Sequence, residues 1–209
     1  TISLLNEVNN KNMQIGLPLA GSGVRAVRLL TELKKGKIKN IEINDKSDEA
    51  VELIKENIEL NESKLICEDI EVVQQDANLF LAESMGFDYI DIDPFGTPND
   101  FLDSAITRIA RDGILAVTAT DTAALTGTYP KAGRRKYWAE THRTGFMHES
   151  ALRILIRKVQ LIGVQYQKAM IPIFSYAKDH YVRVFFKAIK SKEKEIEELQ
   201  EELSKLQEE

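Results

Sequence analysis

Short apolar runs alternate with stretches of helical spacing five times in succession, and two extended runs joined by a short link follow near the end. This order leaves few folds open. Strands separated by helix-length connections lie parallel, and the connecting helices cover the faces of the sheet. Strands are expected at Met13 to Leu19, Ile38 to Ile43, Ile70 to Val73, Phe87 to Ile92 and Ile114 to Ala119. Val24 to Lys35 reads as a helix stopped by Gly36, and a second starts at Ser47 or Asp48 and carries Val51, Ile54 and Ile58 inward. Further helices are expected at Ala77 to Glu83 and from Pro98, which suits a first turn, to about Ala110. A long irregular stretch, Thr120 to Gly145, precedes a helix from Met147 to Ile162; loops of that length inside compact domains tend to be functional. Lys168 to Tyr176 and Tyr181 to Ile189 read as strands. Their link, Ala177 to His180, is so short that the pair must be antiparallel.

Glycines and acids gather just past these strands, at the edge where open α/β sheets bind ligands. Ala20-Gly21-Ser22-Gly23 follows the first strand, where Gly21 and Gly23 let the backbone approach a ligand closely. The same turn suits an NAD site or a purely structural bend. Asp45 follows the second strand and can accept from both hydroxyls of a ribose; Asp76 follows the third and can accept from an adenine amino group, with Ala77 supplying backbone. The alternative is that both aspartates only cap helices. Arg25, at the electropositive start of the first helix, suits an anion such as a methionine carboxylate, or pairs with a nearby Asp.

The fourth strand ends in Asp91-Ile92-Asp93-Pro94-Phe95-Gly96. Pro94 lacks an N–H and biases Asp93 toward an extended backbone. The Asp93 carboxylate and the Pro94 carbonyl are then two acceptors for the two hydrogens of an aromatic amine. Phe95 offers a face for stacking, and Gly96 leaves room. Such a grip points the amine lone pair at a methyl donor and lets the carboxylate take up the proton, with no metal required. Asp91 alternates with Asp93 and is expected to share the mouth of the site. The expected fold class is therefore α/β, a Rossmann-like class I methyltransferase whose mostly parallel sheet ends in an antiparallel hairpin, with S-adenosylmethionine as cofactor.

The net charge of −5 is uneven: residues 191–209 hold eight Glu and three Lys, and the remainder is neutral. Within that neutral body, Lys131, Arg134, Arg135, Lys136, Arg143, Arg153, Arg157 and Lys158 face only Glu140 and Glu149. A local basic surface of this kind is what a phosphate backbone requires. Lys131, Arg134, Arg135 and Lys136 are the expected RNA contacts. No apolar run approaches the roughly 20 residues of a membrane span. The single Cys67 excludes an intrachain disulfide, makes a cysteine-based zinc site unexpected and fits a cytoplasmic protein. Thr1 to Asn10 has neither an initiator Met nor the marks of a signal peptide, so the chain reads as part of a longer protein.

Taken together, several segments resemble the tRNA (guanine(26)-N(2))-dimethyltransferase family over about Gly16 to Lys187. They are Asp88 to Pro98, Val117 to Ala123, Tyr129 to Ala132 with Arg135-Lys136-Tyr137, His148 to Leu155, and Tyr176 to Arg183. The resemblance implies transfer of one or two methyls from S-adenosylmethionine to guanine N2 in tRNA. It assigns Arg25, Asp45, Asp76 and Ala77 to the cofactor and catalysis to Asp93. Leu17-Pro18 departs from the pattern, because the family's first strand usually carries an acidic residue there. An Asp-Pro-Phe-Gly site also suits other planar amines, so another nucleic-acid base, a protein glutamine, or RNA binding without turnover are the competing readings. The expected organisation is a remnant of an N-terminal segment over 1–12, a methyltransferase domain over 13–190 and a charged helical tail over 191–209. Ile196, Leu199, Leu203 and Leu206 form a two-heptad seam in that tail, read either as a solvated linker or as a self-association helix.

Overall fold

The computed structural model describes residues 1–190. Its strands are β1 (Met13–Leu17), β2 (Ile38–Asp45), β3 (Ile70–Gln74), β4 (Phe87–Ile92), β5 (Ile109–Ala119), β6 (Lys168–Lys178) and β7 (Tyr181–Lys190). Its helices are α1 (Ile2–Glu7), α2 (Val24–Glu32), α3 (Asp48–Glu59), α4 (Ala77–Glu83), α5 (Asn99–Arg108), α6 (Thr122–Leu125), α7 (Pro130–Tyr137) and α8 (Met147–Gln165). The strands make one sheet in the order β3-β2-β1-β4-β5-β7-β6. The first five run parallel, and β7 lies antiparallel between β5 and β6. The chain moves outward from β1 on one side and returns to its other side as β4. The switch point between β1 and β4 is where such sheets bind ligands.

Both faces of the sheet are covered, so the central strands are apolar on both sides. Ile90, Ile92, Leu115, Val117, Val184 and Phe186 pack beneath α4, α5 and α8. Ile15, Leu17, Ile41, Ile43, Tyr89 and Phe185 pack on the opposite face against α1, α2 and α3. The start of α3 follows its sequence: the Ser47 hydroxyl accepts from the Ala50 N–H, and Asp48 and Glu49 complement the helix dipole in the first turn.

Four local expectations need correction. The stretch Thr120 to Gly145 is not irregular throughout, because it contains α6 and α7. Pro130 opens α7, and a basic run follows in which Ala132 and Tyr137 are the only apolar side chains, too few to mark a helix in the sequence. Pro98 is the N-cap of α5 rather than part of its first turn. β5 starts at Ile109 rather than Ile114. The β6–β7 link is only Asp179-His180, with Asp179 at φ 49°, the left-handed conformation that tight hairpins demand. The heptad seam expected at 196–206 lies outside the described residues.

One buried polar side chain fixes the ligand-binding edge. Asn44 at the end of β2 is fully buried. Its Nδ2 donates to the carbonyls of Pro18 (2.9 Å) and Gln75 (3.0 Å), and its Oδ1 accepts from the Gln75 N–H (3.0 Å). Its own carbonyl accepts from the Ala20 N–H (2.9 Å). Asn44 thereby ties the segments that leave β1 and β3 to β2. Removal of this amide strands backbone groups without partners, at about 1–3 kcal/mol each. Asn44→Leu should therefore lower stability by about 2–4 kcal/mol in urea unfolding, with the partial backbone relaxation that such cores allow.

Candidate active site

At the switch point lies a cavity of about 1010 Å³. Its wall includes Gly21, Ser22, Arg25, Asp45, Asp91, Asp93, Pro94 and Phe95. Gly21 and Gly23 have φ of 55° and 75°, so both need a residue without a Cβ penalty. They differ in what surrounds them. A Cβ on Gly21 would meet nothing within 4 Å, whereas one on Gly23 would press on Ile54 of α3 at 3.0 Å. Gly21 shapes the turn, and Gly23 also lets α2 approach α3. Asp45 holds this turn from β2: its Oδ2 accepts from the Gly21 N–H (2.8 Å) and its Oδ1 from the Ser47 N–H (3.1 Å).

Beside the turn is a buried ion network. The Asp91 side chain is 1% exposed and that of Arg183, from β7, is 3% exposed. Arg183 approaches both Asp91 oxygens, Nη1 to Oδ1 at 3.0 Å and Nη2 to Oδ2 at 2.7 Å. The Tyr89 hydroxyl donates to Asp91 Oδ2 (2.6 Å), and Arg25 Nη1 donates to Oδ1 (2.8 Å). Arg25 Nη2 reaches on to Asp93 Oδ2 at 2.5 Å. Burial pushes the Asp91 carboxyl upward, but the Arg183 and Arg25 guanidiniums outweigh it and hold the group below the usual carboxylate range. Burial likewise opposes the Arg183 cation, and Asp91 reverses the balance and raises its pKa. Burial beside the Asp91 charge drives the Tyr89 phenol well upward, which keeps it a donor.

Asp93 differs from Asp91 in what it leaves free. Its Oδ2 is taken by Arg25, while its Oδ1 has no hydrogen-bond partner among the described residues. Phe95 is fully exposed beside it. The expected cofactor residues Asp76 and Ala77 do not line the cavity. Asp76 Oδ1 accepts from the Asn78 N–H (2.9 Å), capping α4, and its other oxygen lies 3.7 Å from Lys46. Ala77 is buried, and as the first residue of α4 its N–H has no intrahelical acceptor.

The family described as N2,N2-dimethylguanosine tRNA methyltransferase matches residues 1–208 of this chain. The chain belongs to that family. It is 46% identical, over 177 residues, to the tRNA (guanine(26)-N(2)/guanine(27)-N(2))-dimethyltransferase of Aquifex aeolicus, an alignment that covers 83% of this chain and 44% of the relative. It is 41% identical to the tRNA (guanine(26)-N(2))-dimethyltransferase of Methanobrevibacter smithii over 186 residues, 88% of this chain and 46% of that one. Among solved structures, the complex of Trm1 from Pyrococcus horikoshii with S-adenosyl-L-methionine superposes with a TM-score of 0.82 at 36% identity, over 91% of this chain and 53% of that one. The chain thus spans less than half the length of these curated relatives.

Within this member of the family, the basic stretch divides into engaged and unengaged side chains. Arg134 pairs with Glu140 (2.7 Å) and Lys136 with Asp121 (3.0 Å). Lys158 is not on the surface at all: it is buried, with its ammonium 2.9 Å from the centre of the Trp138 ring. Burial lowers its pKa to about 8. Lys131, Arg135 and Arg143 are exposed and make no ion pair among the described residues. Tyr137 is an interior anchor, and Trp138 is half exposed.

Residues not anticipated as site residues include Tyr89, Thr118, Thr120 and Arg183. Arg183 Nη1 also reaches the Thr118 hydroxyl (2.5 Å). The available signal was alternation: Tyr89, Asp91 and Asp93 share one face of β4 and its extension. That Arg183 meets them depends on β7 lying beside β5, with Arg183 opposite Thr118. The Asp91 carboxyl is held low, so its contribution is complete above about pH 4 and is lost as pH falls through the lower folded value. Arg183→Met leaves a buried carboxylate short of a partner and should cost about 3–5 kcal/mol at pH 7. Urea unfolding across pH should show the gap from wild type narrowing below about pH 4.

Proposed function

We propose that this chain carries the catalytic domain of an S-adenosylmethionine-dependent methyltransferase acting on the exocyclic N2 of a guanine in tRNA, at position 26, to give N2-methyl- or N2,N2-dimethylguanosine. Residues 13–190 form that domain in this reading, and residues 1–12 help to wall its cavity. The observation that carries the reading is the state of Asp93. One carboxylate oxygen is fixed by Arg25, the other has no hydrogen-bond partner among the described residues, and Asp93 lines the cavity together with Pro94 and the exposed Phe95.

The donor set fits the cofactor. Arg25 uses one N–H on each terminal nitrogen for Asp91 and Asp93. A guanidinium has five N–H groups, so donors remain for a carboxylate. Asp45 offers acceptor capacity at the end of β2, and the Gly21–Gly23 turn gives the backbone a close approach. Asp76 and Ala77 lie after β3 outside the cavity wall, and their assignment to the adenine end rests on the family resemblance alone. S-adenosylmethionine, when bound, supplies an electrophilic methyl group. Asp93 and the Pro94 carbonyl accept the two amino hydrogens, which directs the nitrogen lone pair, and Asp93 takes up the proton released. Phe95 stacks on the base after it has been turned out of the tRNA fold. Lys131, Arg135 and Arg143 neutralise flanking phosphates. Action on tRNA places the protein in the cytoplasm in this reading.

Isothermal titration of the full-length protein with S-adenosylmethionine and with NAD should show saturable binding of the former alone; NAD binding alone would overturn the reading. Asp93→Ala should slow methyl transfer to guanine N2 by about 10²-fold or more while cofactor affinity largely survives. Joint loss of both would remove its assignment as the proton acceptor. Replacing Lys131, Arg135 and Arg143 with Ala should weaken tRNA binding and flatten the dependence of log K on log salt by about 2–3.

A further inference from the structure

The loop that carries Pro94 and Phe95 is tied down on both sides, at Asp93 and at Gly96. Asp93 is set on one side by β4, whose Ile92 pairs with Val117, and by Arg25. Three residues on, both peptide groups of Gly96 are engaged. The Gly96 N–H donates to the Thr120 hydroxyl at 2.6 Å. The Gly96 carbonyl accepts from the Thr120 N–H at 2.9 Å and from the Asp121 N–H at 3.3 Å. Gly96 sits at φ 89°, and a Cβ there would meet nothing within 4 Å, so the demand for glycine is conformational rather than steric. Only Pro94 and Phe95 lie between the two fixed points. The Pro94 φ is locked by its ring, and the Phe95 side chain is fully exposed, so the fold directs that side chain only through the backbone that sets its Cα–Cβ bond.

Among the described residues the hydrogen bonds of the Thr120 hydroxyl all go to Gly96. It does not cap α6, whose N-cap is Asp121. It lines the same cavity as Asp93. The next residue is braced in turn: Asp121 Oδ1 accepts from the Tyr137 hydroxyl (2.5 Å) and Oδ2 pairs with Lys136 (3.0 Å). Tyr137 is fully buried, and its oxygen lies 3.3 Å from the Thr97 hydroxyl on the far side of Gly96. Asn99 Nδ2 donates to the Lys136 carbonyl (2.7 Å). The loop is thus gripped from both ends by the end of β5 and by α7.

We infer that Thr120 is a positioning residue for methyl transfer: through Gly96 it fixes the Pro94 carbonyl and the backbone that carries Phe95 where the target amine is received, with Asp121 and Tyr137 holding Thr120 in place. This rests on the methyltransferase reading above. Thr120 acts on the substrate side, so its loss should appear in the rate of transfer and not in cofactor affinity.

The test uses the full-length protein, a tRNA transcript and labelled S-adenosylmethionine, with single-turnover rates, cofactor affinity and thermal midpoint measured for each variant. T120V keeps the shape and removes the hydroxyl; T120S keeps the hydroxyl. T120V should transfer methyl about tenfold to a hundredfold more slowly, with cofactor affinity and thermal midpoint close to wild type, and T120S should restore most of the rate. Equal slowing in T120S and T120V, a T120V rate equal to wild type, or a T120V defect that follows lost cofactor affinity or lost fold would each overturn the inference alone. Absence of transfer to guanine N2 by the wild-type protein would overturn the methyltransferase reading and this inference with it.

Discussion

The pairing of Asp91 with Arg183 is the contact on which the site depends. A buried carboxylate is costly unless it is neutralised and its lone pairs are filled. Arg183, Arg25 and Tyr89 together do both for Asp91. The consequence is geometric. Arg25 is drawn to Asp91 through one nitrogen and presents the other to Asp93, so a structural ion pair sets the orientation of the carboxylate proposed to do chemistry. The contact also joins three separate parts of the chain, α2, the end of β4, and β7. The antiparallel hairpin is therefore part of the site and not just an edge of the sheet.

The two aspartates of the Asp91-Ile92-Asp93 run divide the work by environment. Asp91 is saturated with donors and has nothing left to offer a ligand. Asp93 lies one step further along the same face, at the cavity, with one oxygen that has no hydrogen-bond partner among the described residues. The Gly21–Gly23 turn also borders that cavity, where its backbone takes left-handed φ values and is held by the Asp45 carboxylate. A charged pocket of this kind keeps its shape because each buried charge has a partner on a different element.

The region between β5 and α8 links the site to the basic surface. Lys136 and Tyr137 turn inward to Asp121, while Lys131 and Arg135 of the same short helix stay exposed. One helix therefore braces the loop near Asp93 and carries charge suited to phosphates. Lys158, on α8, shows how composition misleads here: it adds to a count of basic residues but lies buried beneath Trp138.

Much of this was legible in the sequence. The order of strands and helices followed from apolar periodicity, and the hairpin from the shortness of its link. Asp45, Asp93 and Gly21 could be expected at one edge because strand ends in such sheets meet there, and all three line the cavity. The sequence did not mark α7, which buries only Gly133 and Tyr137, packs a partly buried Ala132 against the core, and finds Asp121 for its Tyr137 hydroxyl only in the folded chain. It also did not separate paired from unpaired cations, because Arg134, Lys136 and Lys158 find their partners only after the segment folds back. The sequence by itself determined the fold class, the ligand edge and the family, since these rest on local period, turn chemistry and motif spacing. The tertiary structure alone decided that Arg183 meets Asp91, that Arg25 bridges two aspartates and that Thr120 holds Gly96. Those contacts join residues 24 to 92 positions apart, and strand order, which no local pattern encodes, brings them together.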